Sequence, residues 1–252
     1  MKRFKNKLSL ITGGSKGIGK AISLGLAEES SDILITYFRD KKNALKTKDE
    51  IIKLGVNCDI IKINLSNISS VEEMTNYIKD KFKKIDFLIN NAATGINKPS
   101  KSITSKHWDF VINTNSKAPW ILIKNLSEIM PRGSSIVNIS SLGSKIVLSN
   151  YFSVGVSKSA LETITKYLSI ELSEKGIKVN SISPGIIKTD ALKSFPKGSD
   201  VRNIENYDTP AGKPLEAKNV SDLVNFLCSG ESEMIRGQNI LVDGGSTINF
   251  NG

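Results

Sequence analysis

The chain of 252 residues contains one histidine, His107, and two cysteines, Cys58 and Cys228. A single imidazole with no carboxylate cluster around it argues against a metal centre, and His107, beside Trp108 at the start of a helix, reads as structural. The cysteines lie far apart, outside any CxxC pattern. They argue against a zinc site or a disulfide framework, fit a reducing compartment, and read as small buried apolar residues. No apolar run approaches bilayer length. The basic N-terminus MKRFKNK leads into LSLIT, too short for a signal-peptide core. The expectation is a soluble, cytoplasmic protein with no membrane insertion.

Acidic residues are also scarce: Asp plus Glu number 25 against 35 Lys plus Arg, a net charge of +10. The excess favours anionic partners in general, whether a phosphorylated cofactor, an acidic protein or nucleic acid. It forms no long basic block and carries no interleaved aromatics, so no nucleic-acid partner is expected.

What is present is regular alternation. Apolar runs at 7–12, 32–37, 59–63, 85–90, 135–140, 177–183 and 239–244 read as buried strands. Between them lie helical patterns at 17–30, 41–54, 68–83, 105–129, 152–174 and 217–229, with Pro119 placed to bend the fourth. The sum is a doubly wound α/β fold, a parallel sheet covered by helices on both faces, in one Rossmann-type domain. The polar stretch 190–214 follows a strand's C-terminal end and reads as a substrate lid.

TGGSKGIG (12–19) directly follows the first strand and opens the first helix. Gly13 permits the turn, while Gly17 and Gly19 admit close approach of backbone, pyrophosphate and helix. Ser15, Lys16 and Ile18 complete the loop. In this strand–turn–helix context the string predicts a dinucleotide site. The second strand ends in Tyr37-Phe38-Arg39 with no carboxylate directly after it. Arg39 and Lys16 are placed to pair with a 2′-phosphate, which favours NADPH over NADH. Asp40, one residue on, is the competing signal.

These pieces, with NNAA (90–93), Asn115 in VINTNSKA, Ser141 in NISSLGS, Lys158 and SPGIIKTD (183–190), resemble the short-chain dehydrogenase/reductase family along the whole chain. The resemblance implies a seven-stranded sheet, a homotetramer, and cofactor contacts from Asn64, Leu65, Asn91, Ala92, Lys158, Gly185, Ile187 and Thr189. Asn64 stands where the family commonly has aspartate, and Asn115 where a helix bend serves a water relay. Most members also carry a catalytic tyrosine four residues before the lysine. Here that position is Val154, and the tyrosine is Tyr151, seven residues before Lys158. This longer spacing, with TPAG (209–212) and LVDGG (241–245), is similar to the NADPH-dependent type III enoyl-acyl-carrier-protein reductases. That branch implies reduction of a trans-2-enoyl group on acyl carrier protein, in fatty-acid elongation, by Tyr151, Lys158 and Ser141. Alternatives are reduction of other enones, quinones or carbonyls, and an inactive NADPH-binding sensor.

The spacing suits the chemistry. Seven helical residues make almost two turns, so Tyr151 and Lys158 share a face, separated axially by about 10.5 Å instead of about 6 Å. Conjugate reduction needs a donor farther from the hydride, at the thioester oxygen. Phe195, Leu192 and Ile187 are candidates to line an acyl channel, each equally plausible as core.

Overall fold

The structure, a computed structural model, describes residues 2–188 and 208–248. Seven strands form one parallel sheet in the order β3-β2-β1-β4-β5-β6-β7. They are β1 Leu8–Ile11, β2 Asp32–Tyr37, β3 Cys58–Lys62, β4 Phe87–Asn90, β5 Ser135–Ile139, β6 Lys178–Pro184 and β7 Asn239–Val242. Each lies within a residue or two of its apolar run in the sequence. Successive strand residues point to opposite faces. Ile11, Ile33, Ile35, Phe87, Ile89, Val137 and Ile139 therefore build one core with Ile22, Leu26, Val220 and Val224. Leu10, Leu34, Leu88, Ile136 and Val179 build the other with Val71, Ile78, Leu122 and Leu126.

The helices are α1 Gly17–Glu28, α2 Lys41–Lys53, α3 Ile68–Phe82, α4 Ser105–Ile112, α5 Ala118–Leu126, α6 Phe152–Glu171 and α7 Ala217–Cys228. α1 and α7 pack closely because Gly25 has no side chain. A Cβ there would strike the Ser221 hydroxyl, which donates to the Ala21 carbonyl at 3.0 Å. α3 starts at Asn67, whose side chain accepts from Ser70 N, and ends at Lys83 in the left-handed region (φ 58°). His107 is structural as expected: it and Thr104 form a reciprocal cap on α4. Both cysteines are buried and free, and burial pushes each thiol up to about 12.

The expected helix 105–129 is not a continuous α-helix bent at Pro119. A π turn, Asn113–Lys117, separates α4 from α5, and Pro119 sits in the first turn of α5. Proline carries no N–H, so the Asn115 carbonyl four residues earlier lacks its α-helical donor, and the ladder shifts to wider pairing.

Among the described residues no helix is long and apolar enough to cross a membrane, and none group into a metal-binding cluster. Thr189, Leu192, Phe195 and most of the expected lid, 190–214, lie outside the described residues. The last residues of that stretch are anchored: Ala211 N donates to Gly244 O, and Thr209 packs against Gly244.

Candidate active site

Ligands of open parallel sheets bind beyond the C-terminal strand ends, at the point where strand order reverses. Here that point lies between β1 and β4. Apart from Tyr151 and Lys158, the described candidate residues follow strand ends: Gly13 to Gly19 after β1, Arg39 after β2, Asn64 and Leu65 after β3, Asn91 and Ala92 after β4. Ser141 follows β5, and Gly185 and Ile187 follow β6.

The glycine loop is held open rather than filled. Gly13 (φ +63°) and Gly17 (φ +52°) adopt conformations that favour glycine. A Cβ on Gly19 would collide with the Gly13 carbonyl and the Asn91 amide. Asn91 Nδ2 donates to the carbonyls of Thr12 (2.9 Å) and Gly13 (3.2 Å). Thr12 Oγ1 accepts from both Asn91 N and Ala92 N at 3.0 Å. Thr12, which the sequence reading did not single out, thus joins the β1 and β4 ends; its place directly before the glycine pair was the available signal. Lys16 precedes α1 and gives it no side-chain cap, so the first-turn N–H groups stay available to an anion. Ser15 is buried, and its carbonyl accepts from Thr47 Oγ1. Ile18 packs against the core.

At the end of β2, the Arg39 guanidinium lies 4.8 Å from the centre of the Phe38 ring. The competing carboxylate is engaged elsewhere. Asp40 caps α2, accepting from Asn43 N at 3.0 Å and Asn43 Nδ2 at 2.6 Å. Those bonds hold its carboxyl below the usual range, and the nearby Lys16 charge lowers it further. The residues therefore fit a dinucleotide. Asn64 Oδ1 accepts from Ser66 N and Ser66 Oγ, so its carbonyl closes a turn. Leu65 is buried. Ile187 is buried in the core cluster that includes residues of α1 and α7. Gly185 N donates to Val242 O, and a Cβ at Gly185 would press on Asp243.

Tyr151 is the residue immediately before α6, so it leaves the helix axis and turns toward β5. Asn150 makes that entry in the left-handed region (φ 60°). The Tyr151 hydroxyl sits 3.1 Å from Ser141 Oγ. The ring packs against Gly143, where a Cβ would overlap Cδ1 and Cε1. Burial raises the phenol pKa, and the Ser141 hydrogen bond offsets part of that rise. Val154, where most members carry tyrosine, is buried beside Gly95.

Lys158 is buried, and its Nζ donates to the Ile139 carbonyl at 2.6 Å. Burial pushes its pKa down to about 8, against an opposing pull from Glu162. An unfolded lysine keeps its proton to about pH 10.4. Between those values the unfolded chain binds a proton that the folded chain has released, so Lys158's contribution to stability rises with pH. Below pH 8 burying the ammonium costs stability. Lys158→Met is accordingly expected to melt above the wild type at pH 7 without cofactor, and the gap to narrow toward pH 10. Calorimetry across that range checks it, and a gap constant with pH would contradict the shift.

Asn115 holds this half of the site together. Its Oδ1 accepts from Thr94 N at 2.8 Å, and its Nδ2 donates to Thr94 O and Ser157 Oγ, both at 2.9 Å.

A family model described as Enoyl-(Acyl carrier protein) reductase matches residues 13–247. The chain is 32% identical over 244 residues to the 3-oxoacyl-[acyl-carrier-protein] reductase FabG of Staphylococcus epidermidis, covering 95% of this chain and 98% of that protein. It is 30% identical over 252 residues to the hydroxynaphthalene reductase-like protein Arp2 of Metarhizium anisopliae, covering 95% and 94%. Among solved structures it superimposes on the angucycline C-6 ketoreductase LanV with bound NADP at a TM-score of 0.89 and 28% identity, covering 98% of each chain. With a seven-stranded parallel sheet, a glycine loop at its switch point and these full-length likenesses, the chain belongs to the short-chain dehydrogenase/reductase family, whose members are NAD(P)-dependent oxidoreductases.

Proposed function

We propose that this protein is an NADPH-dependent enoyl-thioester reductase whose physiological substrate is carried on acyl carrier protein. The observation that carries the reading is the placement of the phenol. Tyr151 stands before α6 with its hydroxyl against Ser141, while Val154 fills the position nearer Lys158. The proton donor is thereby displaced from the place a carbonyl reductase uses.

Bound NADPH supplies the hydride that reaches the substrate β-carbon. Tyr151 donates its hydroxyl proton as a hydrogen bond to the thioester oxygen, where negative charge gathers in the transition state. A raised phenol pKa suits a donor that stays neutral. Ser141 orients that hydroxyl. Lys158, cationic below about pH 8, binds the ribose hydroxyls and keeps the local field positive. The enolate needs less than a full proton transfer, and water supplies the α-carbon proton. The test is NADPH consumption with crotonyl and longer enoyl thioesters beside 3-ketoacyl thioesters. Turnover of the enoyl series alone supports the reading; turnover of the ketoacyl series alone overturns it.

The second reading, carbonyl reduction, is favoured by the printed activities of FabG and LanV, and the same comparison decides it.

The choice of NADPH rests on Arg39 and Lys16 with Asp40 engaged as a cap. Lys16→Ala with Arg39→Ala is expected to weaken NADPH binding at least 30-fold, or about 2 kcal/mol, and to leave NADH binding within threefold. Titration calorimetry with both nucleotides measures it.

The net charge of +10 would steer an acidic carrier protein. Added salt should then lower kcat/KM for the carrier-bound substrate more than for a neutral N-acetylcysteamine thioester. A homotetramer is the proposed assembly, supported by the exposed apolar residues Phe152, Val156, Tyr167 (69% exposed) and Ile170 (72%) on α6.

A further inference from the structure

Glu162 lies one helical turn beyond Lys158 on α6. One of its oxygens, Oε1, accepts from three hydroxyls on three different elements. Ser140 Oγ, at the end of β5, reaches it at 2.6 Å. Ser144 Oγ, in the turn after β5, makes a second, short bond. Ser183 Oγ, on β6, makes the third at 3.2 Å. The turn they hold is the one that carries Ser141. Ser144 Oγ also lies 2.7 Å from the Ser141 carbonyl, so its one proton is shared between that carbonyl and Glu162, and Ser159 Oγ donates to the Ser144 carbonyl at 2.9 Å. A partly buried carboxylate on a helix is costly unless it is hydrogen-bonded and opposed by a positive charge. Glu162 has the hydroxyls and, at the next turn, Lys158.

We propose that Glu162 is a positioning residue of the site. Its carboxylate holds the Ser140–Ser144 turn so that Ser141 meets Tyr151, and its charge keeps Lys158 cationic where the cofactor binds. The inference rests on the cofactor role given to Lys158 above, but not on the identity of the acyl substrate.

The electrostatic surroundings are simple. β5, β6, the Ser141 turn, the π turn, α4 and α5 all pack against α6. Burial lowers the pKa of the Lys158 ammonium, and the Glu162 charge opposes it. The nearby titratable Tyr151 has a raised pKa and stays neutral through the range concerned. Removing the Glu162 charge leaves burial unopposed.

Two substitutions separate charge from shape. Glu162→Gln keeps an acceptor oxygen and removes the charge. Glu162→Asp keeps the charge and withdraws it by one methylene. Lys158 is titrated directly by carbon NMR of protein labelled at the lysine ε-carbons, with Lys158→Met assigning the resonance. The wild type should titrate near 8. Glu162→Gln should titrate lower by about one unit or more, and Glu162→Asp by less. NADPH affinity in Glu162→Gln should fall more than twofold at pH 7.5 and recover at pH 6, where Lys158 is protonated in both proteins.

A titration unmoved in Glu162→Gln overturns the proposal. An affinity loss equal at pH 6 and pH 7.5 does so too, because a purely structural role predicts that pattern. Should Glu162→Gln not fold, Glu162→Asp is read alone: a partial downward shift supports the proposal and an unmoved titration overturns it. Neither readout uses an acyl substrate, so failure of enoyl turnover leaves the test intact. A wild type that binds no NADPH would sink the functional reading, while the titration of Lys158 would still judge Glu162.

Discussion

Tyr151→Phe is expected to lower NADPH oxidation with an enoyl thioester by about 10²–10³-fold and to leave NADPH affinity within twofold. The variant keeps the ring over Gly143 and removes only the hydroxyl. That hydroxyl lies within hydrogen-bonding distance of Ser141 Oγ. Removing a single preorganised donor to a developing oxyanion costs rates of this size. The loss should fall on kcat and kcat/KM alike, because the interaction strengthens only as charge develops. Stopped-flow measurement of single-turnover NADPH oxidation, beside equilibrium binding, separates chemistry from affinity. Full activity in the variant would return the donor role to another group.

Gly143→Ala is the second large effect. Its added methyl would occupy the space of the Tyr151 ring, at Cδ1 and Cε1, and would also approach Leu148 Cδ1 at 3.3 Å. The Gly143 carbonyl already lies tightly against Gly155, so the turn cannot retreat toward α6. The ring must swing away and take its hydroxyl from Ser141. An activity loss comparable to Tyr151→Phe is expected, with a stability cost of about 1–3 kcal/mol for overpacking. The distinguishing measurement is the variant's crystal structure with its steady-state kinetics. A ring left in place with normal kcat would mean that the turn, and not the tyrosine, gives way.

The strands were legible because the inner ones are buried almost throughout, which gives near-continuous apolar runs, while the edge strands β3 and β7 are only partly buried. The glycine loop was legible because backbone approach and positive φ leave few alternatives to glycine at Gly13 and Gly17. Tyr151 was legible as a displaced partner of Lys158, and the helical pattern at 152–174 already left it just before the helix, which made the shared-face spacing an upper guide. Tyr151 stands there as the residue before α6, and its hydroxyl reaches Ser141. Other features depend on contacts between distant segments and leave weak traces. Glu162 reads in sequence as one more charged position on a long helix. Only the fold brings Ser140, Ser144 and Ser183 to it. Asp40 looked like a rival to Arg39, although the asparagine three residues later already favoured a helix cap. The π turn left one trace, Pro119, which pointed to the right helix and the wrong distortion. Ile187 follows a strand end, as channel residues do, and its side chain is buried in the core.

The π turn also limits how this chain can shorten. It is an α-helix carrying one surplus residue, and deleting a residue between Asn113 and Lys117 would remove the surplus while leaving Pro119, now in a first turn, inside a continuous helix. Such a deletion also breaks contacts beyond the helix. Asn115 is tied to Thr94 and Ser157, and Ser116 Oγ donates to the Ser157 carbonyl at 2.7 Å. Removing one residue rotates everything before the cut by about 100° relative to everything after it. Either Trp108 leaves the Phe152 ring 5.9 Å away at the mouth of α6, or α5 turns Leu122 and Leu126 out of the core. The irregularity is a fixed offset between two helix faces, and natural length variation should avoid these five positions while tolerating changes in the loops on either side.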